Sequence, residues 1–242
     1  MEQLYELAPE QIEVCLRVNG AAGRCELTHQ LRPPAFEDWR AYERDLRSTV
    51  EVAEEEPEAL EFVSSTLEAA GALYDRLFRK ADGYKLPDTG SGITAEQIPI
   101  HHKEAVIRSL TEVAPAPPES VLDESGQPAL FLLDAERNEA VLQASRGGVL
   151  CPRLVHVFRS PTAADRVEYS RITSQALYVR NSQTLKTILP SRLPGLVALY
   201  DRLVDEVRGY VAAGIPVTDR AAIVKQMDCL HKKVAVQVLF GE

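Results

Sequence analysis

No apolar run in this 242-residue chain approaches the roughly 18 residues needed to cross a bilayer. The first twenty residues carry Glu2, Glu6, Glu10 and Glu13 in place of a basic start and an apolar core, so neither a membrane anchor nor a secretory leader is expected. Cysteine is scarce: Cys15, Cys25, Cys151 and Cys229 lie far apart and form no CxxC pair, which opposes a disulfide framework or a structural zinc site and favours reduced thiols in a cytosol. A glycine-rich phosphate loop, a nucleophile elbow and a clustered set of metal ligands are all missing. The expectation is therefore a cytoplasmic protein that is not an enzyme and has no cofactor or metal.

Charge is present in quantity but unevenly placed. Residues 1–121 hold 12 Lys/Arg against 23 Asp/Glu, whereas residues 122–242 hold 15 against 13. An acidic half joined to a nearly balanced one is able to steer self-association or the choice of partner, although a solvated helix face accounts for any single run of charge.

Self-similarity is the strongest signal. Ala72-Leu73-Tyr74-Asp75-Arg76-Leu77 recurs unchanged as Ala198-Leu199-Tyr200-Asp201-Arg202-Leu203, and the same offset of 126 pairs Gly83-Tyr84 with Gly209-Tyr210 and Cys25 with Cys151. An offset of 127 pairs His29, Arg32, Pro34, Asp38, Tyr42 and Arg44 with His156, Arg159, Pro161, Asp165, Tyr169 and Arg171, and 129 pairs His102-Lys103 with His231-Lys232. Co-linear blocks separated by small insertions make an internal duplication. The proline-rich stretch Ala114–Ser120 reads as an extended connector, giving units at 1–113 and 129–242 with a linker at 114–128.

Ile12, Val14, Leu16 and Val18 alternate with polar residues, as do Cys25, Leu27, His29 and Leu31, which predicts a hairpin. Its counterpart uses Ala140–Ala144 and Leu150–Phe158 through Arg146-Gly147-Gly148, with Pro152 confining that strand to an edge or bulge. Arg32-Pro33-Pro34 and Arg159-Ser160-Pro161 then mark helix starts. The stripe Phe62, Leu67, Ala70, Leu73, Tyr74, Leu77 predicts a helix from Pro57 to Asp82, matched by one from Leu193 to Val211, with Gly83 and Gly209 as left-handed caps. Last helices are expected from Thr94, with a Thr94/Gln97 capping box, and from Thr218. The fold class that results is α+β, predominantly helical, built from two tandem units of a β-hairpin followed by about three helices.

Candidate interaction residues are those the duplication retains: Asp75, Arg76, Asp201 and Arg202, the pairs His102-Lys103 and His231-Lys232, and Arg159. For each Asp-Arg pair a local ion pair competes with a docking role, since half-buried charge demands a partner. The His-Lys pairs suit acid–base chemistry, but no carboxylate or nucleophile accompanies them in sequence and a histidine at a helix contact is the plainer reading. Cys25 with His29 resembles a ligand pair, yet four residues of strand span about 13 Å, too far for one zinc. Arg146, Arg153, Arg159, Arg166, Arg171 and Arg180, interleaved with Phe158, Tyr169 and Tyr178, make the only stretch like a nucleic-acid footprint, and a pI near 5.2 opposes it.

The segment Arg159-Ser160-Pro161-Thr162-Ala163-Ala164-Asp165, closing a hairpin and entering a charged helix, resembles phage tail assembly chaperones and related small tail proteins. The first copy departs from that pattern with Ala35 in place of the threonine. The resemblance implies a non-enzymatic protein that binds structural proteins of a phage or phage-like particle. Protein–protein interaction or assembly is thus the leading expectation, ahead of a nucleic-acid-associated regulator using the second half and of an enzyme with a site between the copies near His102 and His231.

Overall fold

The computed structural model describes residues 4–20, 23–46, 48–52, 60–64, 66–85, 93–117, 137–151, 153–174, 177–181, 184–188 and 191–241. Pro152 and residues 118–136, which include most of the proposed linker, lie outside them. A short strand β1 (Tyr5–Glu6) precedes the first copy, which runs β2 (Ile12–Gly20), β3 (Gly23–Leu31), α1 (Phe36–Asp45), β4 (Ser48–Val52), β5 (Leu60–Ser64), α2 (Thr66–Leu77), β6 (Phe78–Asp82), α3 (Ile100–Leu110) and β7 (Thr111–Pro115). The second copy runs β8 (Arg137–Arg146), β9 (Val149–Leu150), β10 (Leu154–Arg159), α4 (Ala163–Thr173), β11 (Leu177–Asn181), β12 (Thr184–Ile188), α5 (Leu193–Leu203), β13 (Val204–Arg208), β14 (Tyr210–Ala212), β15 (Ile215–Pro216), α6 (Arg220–Gln226) and α7 (Cys229–Phe240).

The order of elements repeats. In each copy a hairpin is joined by a third antiparallel strand that directly follows the Leu-Tyr-Asp-Arg-Leu helix: β2-β3-β6 in the first, β8-β10-β13 in the second. The third strand carries the same bulge in both. Arg79 is the unpaired residue opposite the Gln30/Leu31 step, and Asp205 the unpaired residue opposite Val157/Phe158. The hairpin of the second copy turns through Gly147 and Gly148, both at positive φ, as a two-residue turn matched to strand twist requires.

Two expectations are corrected here. The chain is α+β but not predominantly helical, because strands take up as much of it as helices do among the described residues. The helix expected over Pro57–Asp82 is confined to α2, with strand β5 before it and strand β6 after it; its counterpart likewise stops at Leu203 and continues as β13. The bulge explains the misreading. One extra residue sets the inward positions of the strand three apart, as Phe78 with Ala81 and Val204 with Val207, a spacing identical to one helical step.

Gly83 and Gly209 are consequently not helix caps. Each follows a strand at φ +92° and +90°, and each lies tight against the neighbouring strand: a Cβ on Gly83 would collide with the Glu26 carbonyl and one on Gly209 would sit 2.9 Å from the Arg153 carbonyl. Thr94 caps a single 3-10 turn, Ala95–Gln97, with α3 starting only at Ile100. After Thr218 come two helices, α6 and α7, where one was expected.

Leu73, Tyr74 and Leu77 of α2 and Leu199, Tyr200 and Leu203 of α5 are fully buried, each in the core of its own copy. Elements also cross between copies. Strand β7 leaves the first copy and pairs antiparallel with β8, giving the order β13-β10-β8-β7. Strand β1 pairs in parallel with β14, placing Tyr5 and Leu7 in the second core, while Leu193 and Cys229 enter the first. Glu43 accepts from Ser191 Oγ at 2.7 Å and from Lys233 Nζ at 2.7 Å, and β12 runs beside β4.

Candidate functional site

The retained residues assemble into one arrangement, built twice. In the first copy Tyr74 Oη lies 2.7 Å from His29 Nδ1, Tyr84 Oη 3.3 Å from His29 Nε2, and Tyr84 Oη 2.9 Å from His102 Nδ1. In the second, Tyr200 Oη lies 2.8 Å from His156 Nδ1, Tyr210 Oη 2.8 Å from His156 Nε2, and Tyr210 Oη 2.8 Å from His231 Nδ1. Alternation along the strands turns His29 and His156 inward, the repeated helix supplies the first tyrosine, and the glycine-enforced close approach delivers the second.

Each chain of contacts can carry its protons in either of two directions. If the Tyr200 hydroxyl donates to His156 Nδ1, the His156 Nε2–H donates to Tyr210, the Tyr210 hydroxyl donates to His231 Nδ1, and every contact uses one proton. The reverse leaves the Tyr200 hydroxyl proton without an acceptor among the described residues, and the first direction leaves the buried His231 Nε2–H without one. Burial lowers the pKa of His29 to about 4 and of His156 to about 3, and depresses His231 and His102. Desolvation disfavours the imidazolium, so His29, His156 and His231 are neutral near pH 7 and too weakly basic to accept a substrate proton efficiently there. As a chemical device the chain is a rigid polar spine.

Charged partners flank each spine. Lys103 Nζ donates to Asp75 and Lys232 Nζ to Asp201, both at 2.6 Å, and Lys232 also donates to the Val224 carbonyl at 2.6 Å. Both lysines are nearly fully buried. Arg32 forks onto Asp38 at 2.7 and 2.9 Å, and Arg159 reaches Asp165 at 3.2 Å. The same carboxylates accept from the backbone N–H of Ala35 and Thr162, so the Arg-x-Pro…Asp motif clamps the end of a strand to the start of a helix. Asp165 is held down to about 2; burial alone would raise it, and the Thr162 hydrogen bonds and Arg159 outweigh that. Arg202 donates to Asp165 at 2.8 Å and Glu168 at 2.7 Å; Arg76 donates to the Ala72 carbonyl at 3.1 Å and reaches Asp45 at 3.5 Å.

All nine candidate residues thus make contacts within the chain. His102 and His231 belong to different spines and do not share one hydrogen-bonded network. Of the arginine-rich stretch, Arg159 is spent on Asp165, Arg166 lies over Phe240, and Arg146 points inward with its guanidinium 3.9 Å from the Tyr5 ring centroid. Among the described residues no three His, Cys, Asp or Glu side chains converge on a metal site, and no helix is long and apolar enough to cross a membrane.

Sequence reasoning overlooked two features. The outer edge of β2 has no strand partner among the described residues, whereas the equivalent edge of β8 is taken by β7. A cavity of about 440 Å³ at the junction between the copies is lined by Leu7, Ile12, Phe36, Arg146, Asp228 and Lys232, among others. The cavity takes Pro34 and Lys232 from repeated motifs, but only pairing and packing reveal either feature. Compared with protein-family models, with curated proteins and with solved structures, the chain matches none.

Proposed function

We propose that the chain is a non-catalytic interaction or assembly protein whose first copy takes a strand from a protein partner along the outer edge of β2. The observation that carries the reading is the inequality of two equivalent edges: β8 is completed by β7, and β2 has no strand beside it among the described residues. Gly147 of the second copy lies against the Glu13 carbonyl, and beyond it the edge from Cys15 to Gly20 offers unpaired donors and acceptors to an incoming strand. Histidines held by tyrosine hydroxyls inside the two cores and lysines paired with Asp75 and Asp201 support a scaffold in preference to an active site.

The tail-chaperone resemblance makes a structural protein of a phage or phage-like particle the partner to test first, with a second copy of this chain as the competing outcome. Light scattering of the chain alone and mixed with the products of neighbouring genes gives stoichiometry. Amide hydrogen exchange then locates the contact. A stable complex in which Cys15–Gly20 gains protection while β8 does not is expected; a monomer that binds none of them, or protection confined to other elements, would overturn the reading.

A further inference from the structure

The two copies separate what the fold needs from what it merely carries. The spine recurs in both, but around the junction cavity Arg146 stands where the first copy has Gly20, Lys225 where it has Glu96, and Asp228 where it has Pro99. The first copy adopts the same arrangement without those charges, so folding does not require them; Lys225 stays exposed, whereas Arg146 and Asp228 are half-buried, which is unfavourable for a charge.

Their hydrogen-bonding capacity is also unspent. Arg146 donates through Nη1 to the Glu6 carbonyl, yet its Nε is buried without a partner, as are Tyr5 Oη and His231 Nε2 beside it. Burial pushes the Tyr5 hydroxyl well above its usual range, a shift that the nearby guanidinium offsets only in part. Asp228 uses Oδ1 to accept the Leu230 N–H at 2.8 Å, and burial raises its carboxyl above the usual range, as for a carboxylate short of compensating charge. Lys232, by contrast, is already committed to Asp201 and Val224.

We propose that the junction cavity binds a small zwitterion of the α-amino acid class with an apolar side chain, its carboxylate on Arg146 and its ammonium on Asp228. Leu7, Ile12, Phe36, Val197 and Met227 supply the apolar wall, and the volume lies within the range of small-molecule sites. A doubly charged anion such as phosphate fits poorly, because Asp228 faces the same space. The site goes beyond the partner-binding edge and is independent of it: ligand from two copies, partner on one strand.

Calorimetric titration of the full chain with L-leucine, 4-methylpentanoate, isopentylamine and inorganic phosphate separates the charge requirements. Leucine is expected to bind, with each single-headed analogue weaker by about tenfold or more, a loss of roughly 1.4 kcal/mol. Asp228→Asn retains an oxygen to cap α7 and is expected to weaken leucine by a similar factor with an unchanged unfolding midpoint. Arg146→Gln is the companion variant, and because it also releases the Glu6 carbonyl, Asp228→Asn carries the decision. No heat with millimolar leucine, equal binding of 4-methylpentanoate, a preference for phosphate, or leucine binding unaffected by Asp228→Asn would each overturn the assignment.

Discussion

The second spine is sealed and the first is half open. His156 and His231 are both fully buried, and the Tyr210 hydroxyl lies 2.8 Å from each of the two rings. In the first copy the corresponding Tyr84 contact with His29 lengthens to 3.3 Å and His102 is only half-buried. The cause is β1, which brings Tyr5 to 4.5 Å from the His231 ring; no equivalent strand covers His102 among the described residues. The same residues therefore sit in unequal dielectric surroundings, and the difference teaches that the repeat defines geometry while flanking segments set its energetics.

The comparison breaks first at the central histidine. His156→Ala removes two buried hydrogen bonds and leaves a cavity, so a loss of about 3–5 kcal/mol is expected by urea denaturation; His29→Ala is expected to cost less, reflecting its longer contact and half-open neighbour. Equal losses would erase the distinction between the copies.

Acidification sharpens it next. Both histidines have folded-state pKa values below the unfolded value near 6.5, so the unfolded chain binds more protons and the stability they contribute is fully present above pH 6.5 and lost as pH falls. For His29 the loss runs from about pH 6.5 to 4 and amounts to roughly 3 kcal/mol. That of His156 continues to about pH 3 and exceeds it. Chemical denaturation at a series of pH values should show stability falling in this window in wild type and a shallower fall in His156→Leu.

Smaller effects are expected at the glycines. Gly83→Ala and Gly209→Ala must each accommodate a Cβ at positive φ against backbone, with a cost of about 1–3 kcal/mol, larger for Gly83, where the approach to the Glu26 carbonyl is closer than that of Gly209 to Arg153. Thermal unfolding of the pair gives the ranking. Arg208→Ala closes the series: its pairs with Glu139 and Glu206 are solvent-exposed, and no measurable change in midpoint is expected.

Much of the arrangement was legible because duplication marks residues that an equivalent environment retains. His29, Tyr74, Tyr84, His102 and Lys103 were each identifiable as repeated, and the structure gathers them with their counterparts into two like networks. What the letters could not convey was contact. Nothing in Gly83-Tyr84 signals that the tyrosine spans two histidines, because the link depends on a strand returning antiparallel to β3. The strands β6 and β13 were hidden for a local reason, a bulge that imitates helical spacing. The β2 edge and the Arg146–Asp228 junction were invisible because each arises where the copies differ.

The shared spine is tested most directly by nitrogen-15 NMR of the histidine side chains between pH 7 and 5. The account predicts that His29, His156 and His231 stay neutral throughout, each in a single tautomer, with His156 and His231 in the same one. Titration of these rings near pH 6.5, or exchange between tautomers in both copies, would contradict it.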